Sequence, residues 1–237
     1  ATAELVKISA NAFLATKISF INAMSQVCDA AGANVTALAE AIGMDDRIGR
    51  RFLRAGIGFG GGCLPKDIRA FQARADELGV GDALTFLAEV DKVNDTMRAG
   101  VIRTVRGLLG DRLAGATVTV LGAAFKPDSD DMRNSPALDL AVELAHLAKR
   151  VVVHDPAAGP ILAERSNRPY EVALSAHSAL EGTDLVLIGT EWREYRDLDP
   201  AQAADLVRTR YVIDGRNCLD AQAWKAAGWS YRGIGRR

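Results

Sequence analysis

Residues Gly56 to Asp67 read GIGFGGGCLPKD, a lone cysteine directly behind a run rich in glycine and just ahead of Pro65. Proline is favoured in the first turn of a helix, so Cys63 is placed close to the N-terminal end of a helix that carries Asp67 and Ile68. That end is electropositive and favours the thiolate, the form of cysteine that attacks a carbonyl carbon. Glycines let a ligand approach the main chain and leave N–H groups unobstructed. A tight turn around an incidental buried cysteine accounts for the same residues. Lys7 and Asn11 stand four residues apart, which puts them on one face of a helix. A lysine and an amide carried together into an interior suit stabilisation of an oxyanion and orientation of a water. A solvated stripe continued by Asn22 and Ser25 is the alternative. Asp67 could orient that water or take a proton, or be a first-turn carboxylate that favours its own helix.

These residues need elements to hold them. From Glu4 to about Ala31 no Gly or Pro occurs, and Leu5, Ile8, Phe13, Leu14, Ile18, Phe20, Ile21, Met24 and Val27 make a helix apolar on most sides, one expected to be buried in a large assembly. NVTALAEAIG gives a second helix, with Asn34 or Thr36 as cap and Gly43 as stop. Helical pattern resumes from Lys66 to Leu78 and from Ala83 to Leu109, the latter with Leu84, Leu87, Val90, Met97, Val101, Val105 and Leu108 on one face. Residues 1–110 therefore read as all-helical. Beyond them the β-branched runs at 117–121, 151–154, 184–189 and 211–214 alternate with helical segments near 136–148, 176–182, 199–207 and 220–226. Such alternation indicates βαβ units and a parallel sheet over residues 111–237. The closing YRGIGRR reads as a loose basic end.

The totals exclude several functions. Lys+Arg of 29 against Asp+Glu of 30 leaves no overall field to attract nucleic acid or a membrane surface, so an anionic ligand has to be held locally. Cys28, Cys63 and Cys218 are odd in number and widely spaced, which fits neither a disulfide framework nor a zinc site and points to a reducing, cytoplasmic setting. No apolar run reaches the length of a membrane span. His146, His154 and His177 show no ligand-like spacing and read as structural, and Cys28 and Cys218 read as packing residues. The first residue is Ala1, and helical pattern starts almost at once, which suggests a chain whose natural beginning is missing.

In order along the chain, ELVKISANAFLATKISFINAMS, IGMDDRIG, GFGGGCLPKD, AFKPDSDDMRNSP and VIDGRN resemble the UDP-glucose 6-dehydrogenases, a group within the UDP-glucose/GDP-mannose dehydrogenase family. The resemblance covers nearly the whole chain. It implies a helical central domain that forms a homodimer, then a Rossmann-like domain that binds the nucleotide of a sugar substrate, with the N-terminal NAD-binding domain of the family absent. It further implies an NAD-dependent double oxidation of UDP-glucose at C6 to a carboxylate. Cys63 would form a thiohemiacetal and then a thioester that water cleaves; Lys7 would stabilise the oxyanion, and Asn11 and Asp67 would hold the water. Phe59 and Gly60 would set the sugar and phosphates against the main chain. Phe125, Lys126 and Arg216 would meet the substrate, and Arg47 would reach into the partner subunit's site. Phe52 and Leu53 would line the sugar pocket, and Arg133 would contact the nicotinamide nucleotide. The alternative for Lys126 is a solvated loop lysine, disfavoured by its place after a parallel strand, where such sheets bind ligands, while on pattern alone Phe52 and Leu53 are equally core.

The sequence also departs from the family pattern. Gly62 stands where a serine is usual, and Arg54 where lysine is common. After the strand at 117–121, VLGAAFKPDSDD keeps Gly122 and lacks the G-x-G-x-x-G of a dinucleotide site. Asp155 lies 33 residues past Gly122, beyond the usual interval of about 20 for the ribose-binding acid. The second half thus reads as nucleotide-sugar binding and not NAD binding. GDP-mannose or UDP-N-acetylmannosamine oxidation, and a non-catalytic nucleotide-sugar-binding dimer, are the competing readings. Retention of Cys63, Lys7, Asn11 and Asp67 together argues against the last.

Overall fold

The computed structural model describes residues 2–236. Its first part is built from α1 (Thr2–Ala31), α2 (Val35–Ile42), α3 (Leu64–Glu77) and α4 (Phe86–Leu109), with a 3-10 turn at Gly81–Leu84 and another at Gly110–Gly115. Among the described residues before Thr117 there is no strand. Asn34 caps α2, its Oδ1 accepting from the Thr36 N–H at 2.9 Å. On α1, Ala12 and Ala15 pack with Ile68 of α3, Leu87 and Val90 of α4 and the Phe59 ring, while Ile21 and Cys28 pack with Val35 and Ala39 of α2. The stripe through Asn22 and Ser25 is not solvated. Asn22 is 0% exposed, and Ser19 and Ser25 are buried beside it, because Ser19 Oγ donates to the Val90 carbonyl and Asn22 Oδ1 accepts from the Gly56 N–H. The large side chains Val6, Phe13, Phe20 and Val27 lie exposed on the other side of α1.

The second part alternates β1 (Thr117–Leu121), α5 (Pro136–Ala145), β2 (Arg150–His154), α6 (Gly159–Glu164), β3 (Glu171–Val172), α7 (Ala176–Leu180), β4 (Leu185–Ile188), α8 (Arg193–Arg196), α9 (Pro200–Leu206), β5 (Tyr211–Asp214), α10 (Ala221–Ala226) and β6 (Ser230–Gly233). The six strands form one sheet in the order β3-β2-β1-β4-β5-β6, and all five pairings are parallel. Side chains alternate across it. Val118, Val120, Val151, Val153, Leu185 and Leu187 face α5, α6 and the last turns of α4. Val152, Val186, Ile188, Val212 and Tyr231 face α7, α9 and α10. Burial on both faces explains why these strands read as continuous apolar runs. Val101, Val105 and Leu109 of α4 share a core with β1 and α5, so one helix serves both parts of the chain.

The end of the chain is not loose. Residues 230–233 form β6 against β5, Tyr231 is buried, and its Oη donates to Asp214 Oδ2 at 2.9 Å. Asn217 brackets Ile234 through both main-chain groups, and the Gly235 carbonyl accepts from the Val35 N–H. An edge strand of four residues is too short to show a period, and the arginines around it obscured its single buried side chain. Arg237 lies outside the described residues.

Candidate active site

Cys63 is the N-cap residue of α3, with Pro65 in the first turn, and its side chain makes no capping bond. It is exposed, whereas Cys28 is buried and Cys218 half-buried. Asn11 of α1 donates from Nδ2 to Asp67 Oδ2 of α3 at 2.6 Å. The packing of Ala12 and Ala15 against Ile68 brings these two residues together across 56 positions of sequence. Lys7, one turn before Asn11, is exposed and not carried into the interior. Arg133 is exposed and paired with Asp131 at 2.7 Å, and this hydrogen bond holds the Asp131 carboxyl down at about 2. Its guanidinium lies over Gly62, where a Cβ would come within 2.6 Å of it, so a cation stands next to Cys63.

Protein atoms account for much of the glycine content. Gly58 has φ +111° and Gly61 φ +84°, values that disfavour any side chain. A Cβ would meet Asn94 Oδ1 at 2.8 Å in the first case and the Phe125 ring at 2.9 Å in the second. Asn94 of α4, 4% exposed, clamps the Phe59 peptide: its Oδ1 accepts from Phe59 N–H at 2.7 Å and its Nδ2 donates to Phe59 C=O at 3.1 Å. Asn22 holds Gly56 and Asn134 holds the Gly61 carbonyl. The Phe59 N–H is therefore taken by Asn94. Those of Gly60, Gly62 and Cys63 donate no hydrogen bond among the described residues, which leaves adjacent donors for an oxyanion or phosphate beside the thiol.

Next to this loop lies a cavity of about 540 Å³ whose lining includes Phe52, Phe59, Gly60, Phe125, Lys126 and Arg216 of the expected substrate residues. Phe52 stands at φ +65°, uncommon for an aromatic residue and a form of backbone strain that clusters at ligand sites. Leu53 is buried with Ile21 and Cys28 and lines a second cavity of about 450 Å³. Arg50, Arg54, Gly56, Glu191 and Arg216 border both. Arg47 is exposed, paired with Asp45, and lines neither. Sequence reasoning missed Asn22, Arg50, Arg51 and Glu191 as lining residues. The position of Glu191 just after β4 was the available signal, since open parallel sheets bind ligands at the carboxyl ends of their strands. Phe125 and Lys126 follow β1 in the same way, and Arg216 follows β5.

Electrostatics suit an anion. Around the larger cavity Arg50, Arg51, Arg54, Lys126 and Arg216 face one carboxylate, Glu191, among the described residues, although the chain's net charge is only −1. Arg216 is held by Nε to the Gly189 carbonyl at 2.7 Å and Nη1 to the Gly58 carbonyl at 3.1 Å. Its Nη2 is buried without a partner, and burial lowers its pKa, opposed by Glu191. A buried guanidinium with a free donor costs folding free energy unless a ligand completes it.

The sheet order is that of doubly wound nucleotide-binding folds, but the turn after β1 does not fit a dinucleotide. There the Ala123 and Ala124 N–H groups both donate to Asp155 Oδ2, at 2.7 and 2.9 Å, where a pyrophosphate would need them.

Fold and site together define a doubly wound α/β unit with a cation-lined cavity, joined to a helical unit that carries an exposed thiol. Residues 1–96 match the model of the UDP-glucose/GDP-mannose dehydrogenase family, central domain, and residues 119–221 match that family's UDP binding domain. The chain belongs to this family. UDP-glucose 6-dehydrogenase TuaD of Bacillus subtilis is 40% identical over 99% of this chain and 50% of its own length. The UDP-glucose 6-dehydrogenase of Pseudomonas aeruginosa is 37% identical over 99% and 52%. Among solved structures, a UDP-glucose dehydrogenase from Pyrobaculum islandicum aligns with TM-score 0.86 at 35% identity, over 100% of this chain and 51% of that one. A UDP-D-ManNAc dehydrogenase from Pyrococcus horikoshii aligns with TM-score 0.83 at 28%, over 99% and 52%. The chain spans about half the length of the curated relatives it matches. No helix among the described residues is long and apolar enough to cross a membrane.

Proposed function

We propose that this chain is the thiol-bearing, sugar-nucleotide-binding part of a cytoplasmic UDP-glucose 6-dehydrogenase that oxidises UDP-glucose to UDP-glucuronate. The observation that carries the reading is the 2.6 Å bond between Asn11 and Asp67 on the helix that Cys63 caps, because it joins a water-holding pair to a nucleophile beside an anion-binding cavity. A nicotinamide nucleotide, held by residues outside this chain, would supply the hydride acceptor for both oxidations, with Arg133 at its edge. The chain's own residues do the rest. Cys63 Sγ adds to the C6 aldehyde carbon, and the charge that develops on oxygen is met by Lys7 and by free N–H groups of the loop. At the thioester, the Asn11–Asp67 pair orients a water, Asp67 takes its proton, and Sγ departs as the carboxylate forms. The cations around the cavity hold the diphosphate.

The names of the relatives favour UDP-glucose over GDP-mannose and UDP-N-acetylmannosamine. Val6, Phe13, Phe20 and Val27, one every seven residues along α1 and exposed, support the homodimer, since such a stripe packs against a second copy of itself; Arg47 then reaches the partner's site. The test is calorimetry of this chain with the three nucleotide sugars, together with alkylation of Cys63. UDP-glucose is expected to bind tightest and to slow alkylation at least fivefold. Binding that leaves the Cys63 rate unchanged would sink the catalytic reading and leave a binding module.

A further inference from the structure

Glu191 is out of place in an anion site. It is the one carboxylate lining the larger cavity among the described residues, set against five cations. It forms an ion pair but no hydrogen bond with Arg216: the Nε–H goes to the Gly189 carbonyl, and Glu191 Oε2 stands 3.6 Å from Nε. Oε2 is buried without a hydrogen-bond partner. The side chain is 29% exposed and borders both cavities where they adjoin. A carboxylate here repels a diphosphate, and an unsatisfied buried acceptor destabilises the fold. The repulsion is offset if the ligand brings a donor to the exposed part of this carboxylate.

We infer that Glu191 accepts a hydrogen bond from a hydroxyl or ring N–H of the bound nucleotide sugar and so determines specificity at the junction of the two cavities. The bridging diphosphate of a sugar nucleotide carries no proton at neutral pH and offers no such donor, whereas the nucleoside and sugar moieties do. Glu191 thus selects a sugar nucleotide over the phosphates alone. A site that depends on a ligand donor rejects analogues lacking it, because its own group is then left unpaired. This rests on the functional reading above.

The test compares the unaltered chain with Glu191→Gln and Glu191→Ala by calorimetry, using UDP-glucose, UDP and inorganic pyrophosphate, with thermal melts to confirm that each variant folds. Removing a negative charge alone would tighten every anion. The inference requires opposite signs. UDP-glucose should weaken about fivefold with Gln and about twentyfold with Ala, the range of a hydrogen bond to a charged acceptor. Pyrophosphate should bind unchanged or about two- to fivefold tighter. Loss shared by UDP places the donor on the nucleoside, and loss confined to UDP-glucose places it on the hexose; either supports the inference. UDP-glucose binding that is unchanged or tighter overturns it. Equal weakening of pyrophosphate also overturns it and makes Glu191 a positioning residue for Arg216. An unaltered chain that binds no UDP-glucose removes the functional reading and this inference with it.

Discussion

Replacing Asn94 by alanine tests whether α4 holds the loop that carries the thiol. The two bonds to the Phe59 peptide, at 2.7 and 3.1 Å, are both buried. Alanine removes them and leaves an N–H and a C=O enclosed without partners. Each such group costs about 1–3 kcal/mol, so the sum lies near 3 kcal/mol once partial relaxation of the loop is allowed. For a chain of this size that is a fall of roughly 6–12 °C in Tm. The assay is a thermal melt by far-UV circular dichroism, with Asp95→Ala as a control, since Asp95 is an exposed carboxylate paired with Arg98 and its loss should cost under about 1 kcal/mol. The loop between Phe59 and Cys63 would lose its anchor, so UDP-glucose should also protect Cys63 less well from alkylation. A Tm within about 2 °C of the unaltered chain, with unchanged protection, would refute the idea that Asn94 bears the loop. Asn94→Asp sharpens the point. It keeps the acceptor for Phe59 N–H but turns an oxygen toward the Phe59 carbonyl, so it should be at least as destabilising at pH 7.

Two other outcomes are expected. Phe13→Glu places a charge on the exposed stripe of α1, where Phe13 is 65% exposed in the single chain, and should convert the proposed dimer to monomer in light scattering at micromolar concentration; a monomeric unaltered chain would dispose of the dimer instead. His154 is buried against Tyr195, with Nδ1 3.0 Å from the Oη, and burial lowers its pKa below the ordinary value. The unfolded chain takes up a proton at His154 near pH 6.5 while the folded chain stays neutral, so this contribution is present above about pH 6.5 and is lost as pH falls toward the folded value. Tm should decline between pH 7.5 and 5.5, with a shallower slope in His154→Gln; identical slopes would show that His154 does not cause it.

Much of this architecture is legible in the sequence because its periods are long or its runs are unbroken. Apolar residues every three or four positions marked α4, and β-branched runs marked β1, β2, β4 and β5. What could not be read was short, as with β3 and β6, or depended on contacts distant in sequence. The bond from Asn11 to Asp67 spans 56 positions, and only the packing of α1 on α3 creates it. The glycine loop was read as room for a ligand; two of its glycines are instead required by Asn94 and Phe125. The sequence did hold a signal for Asn94. It falls on the stripe Leu87, Val90, Met97, Val101, where an amide must be satisfied internally. Asn22 on α1 obeys the same logic, which decides against the solvated alternative and makes it a wall of the cavity.

Both asparagines lead to the same point about how the site is assembled. The cations of the cavity come from two sources: Lys126 and Arg216 follow strands β1 and β5, while Arg50, Arg51 and Arg54 precede the glycine loop in the helical part. A ligand between them is bound only if the two parts keep a fixed spacing. That spacing has a physical basis in α4, whose Asn94 grips the Phe59 peptide while Val101, Val105 and Leu109, two to four turns on, are locked into the core under the sheet. Arg216 adds a second tie, bonded to Gly189 at the end of β4 and to Gly58 in the loop. A rigid helix and a buried guanidinium thus set the distance from the thiol to the nucleotide-binding edge, and the loop itself, with five glycines between positions 56 and 62, need not be stiff.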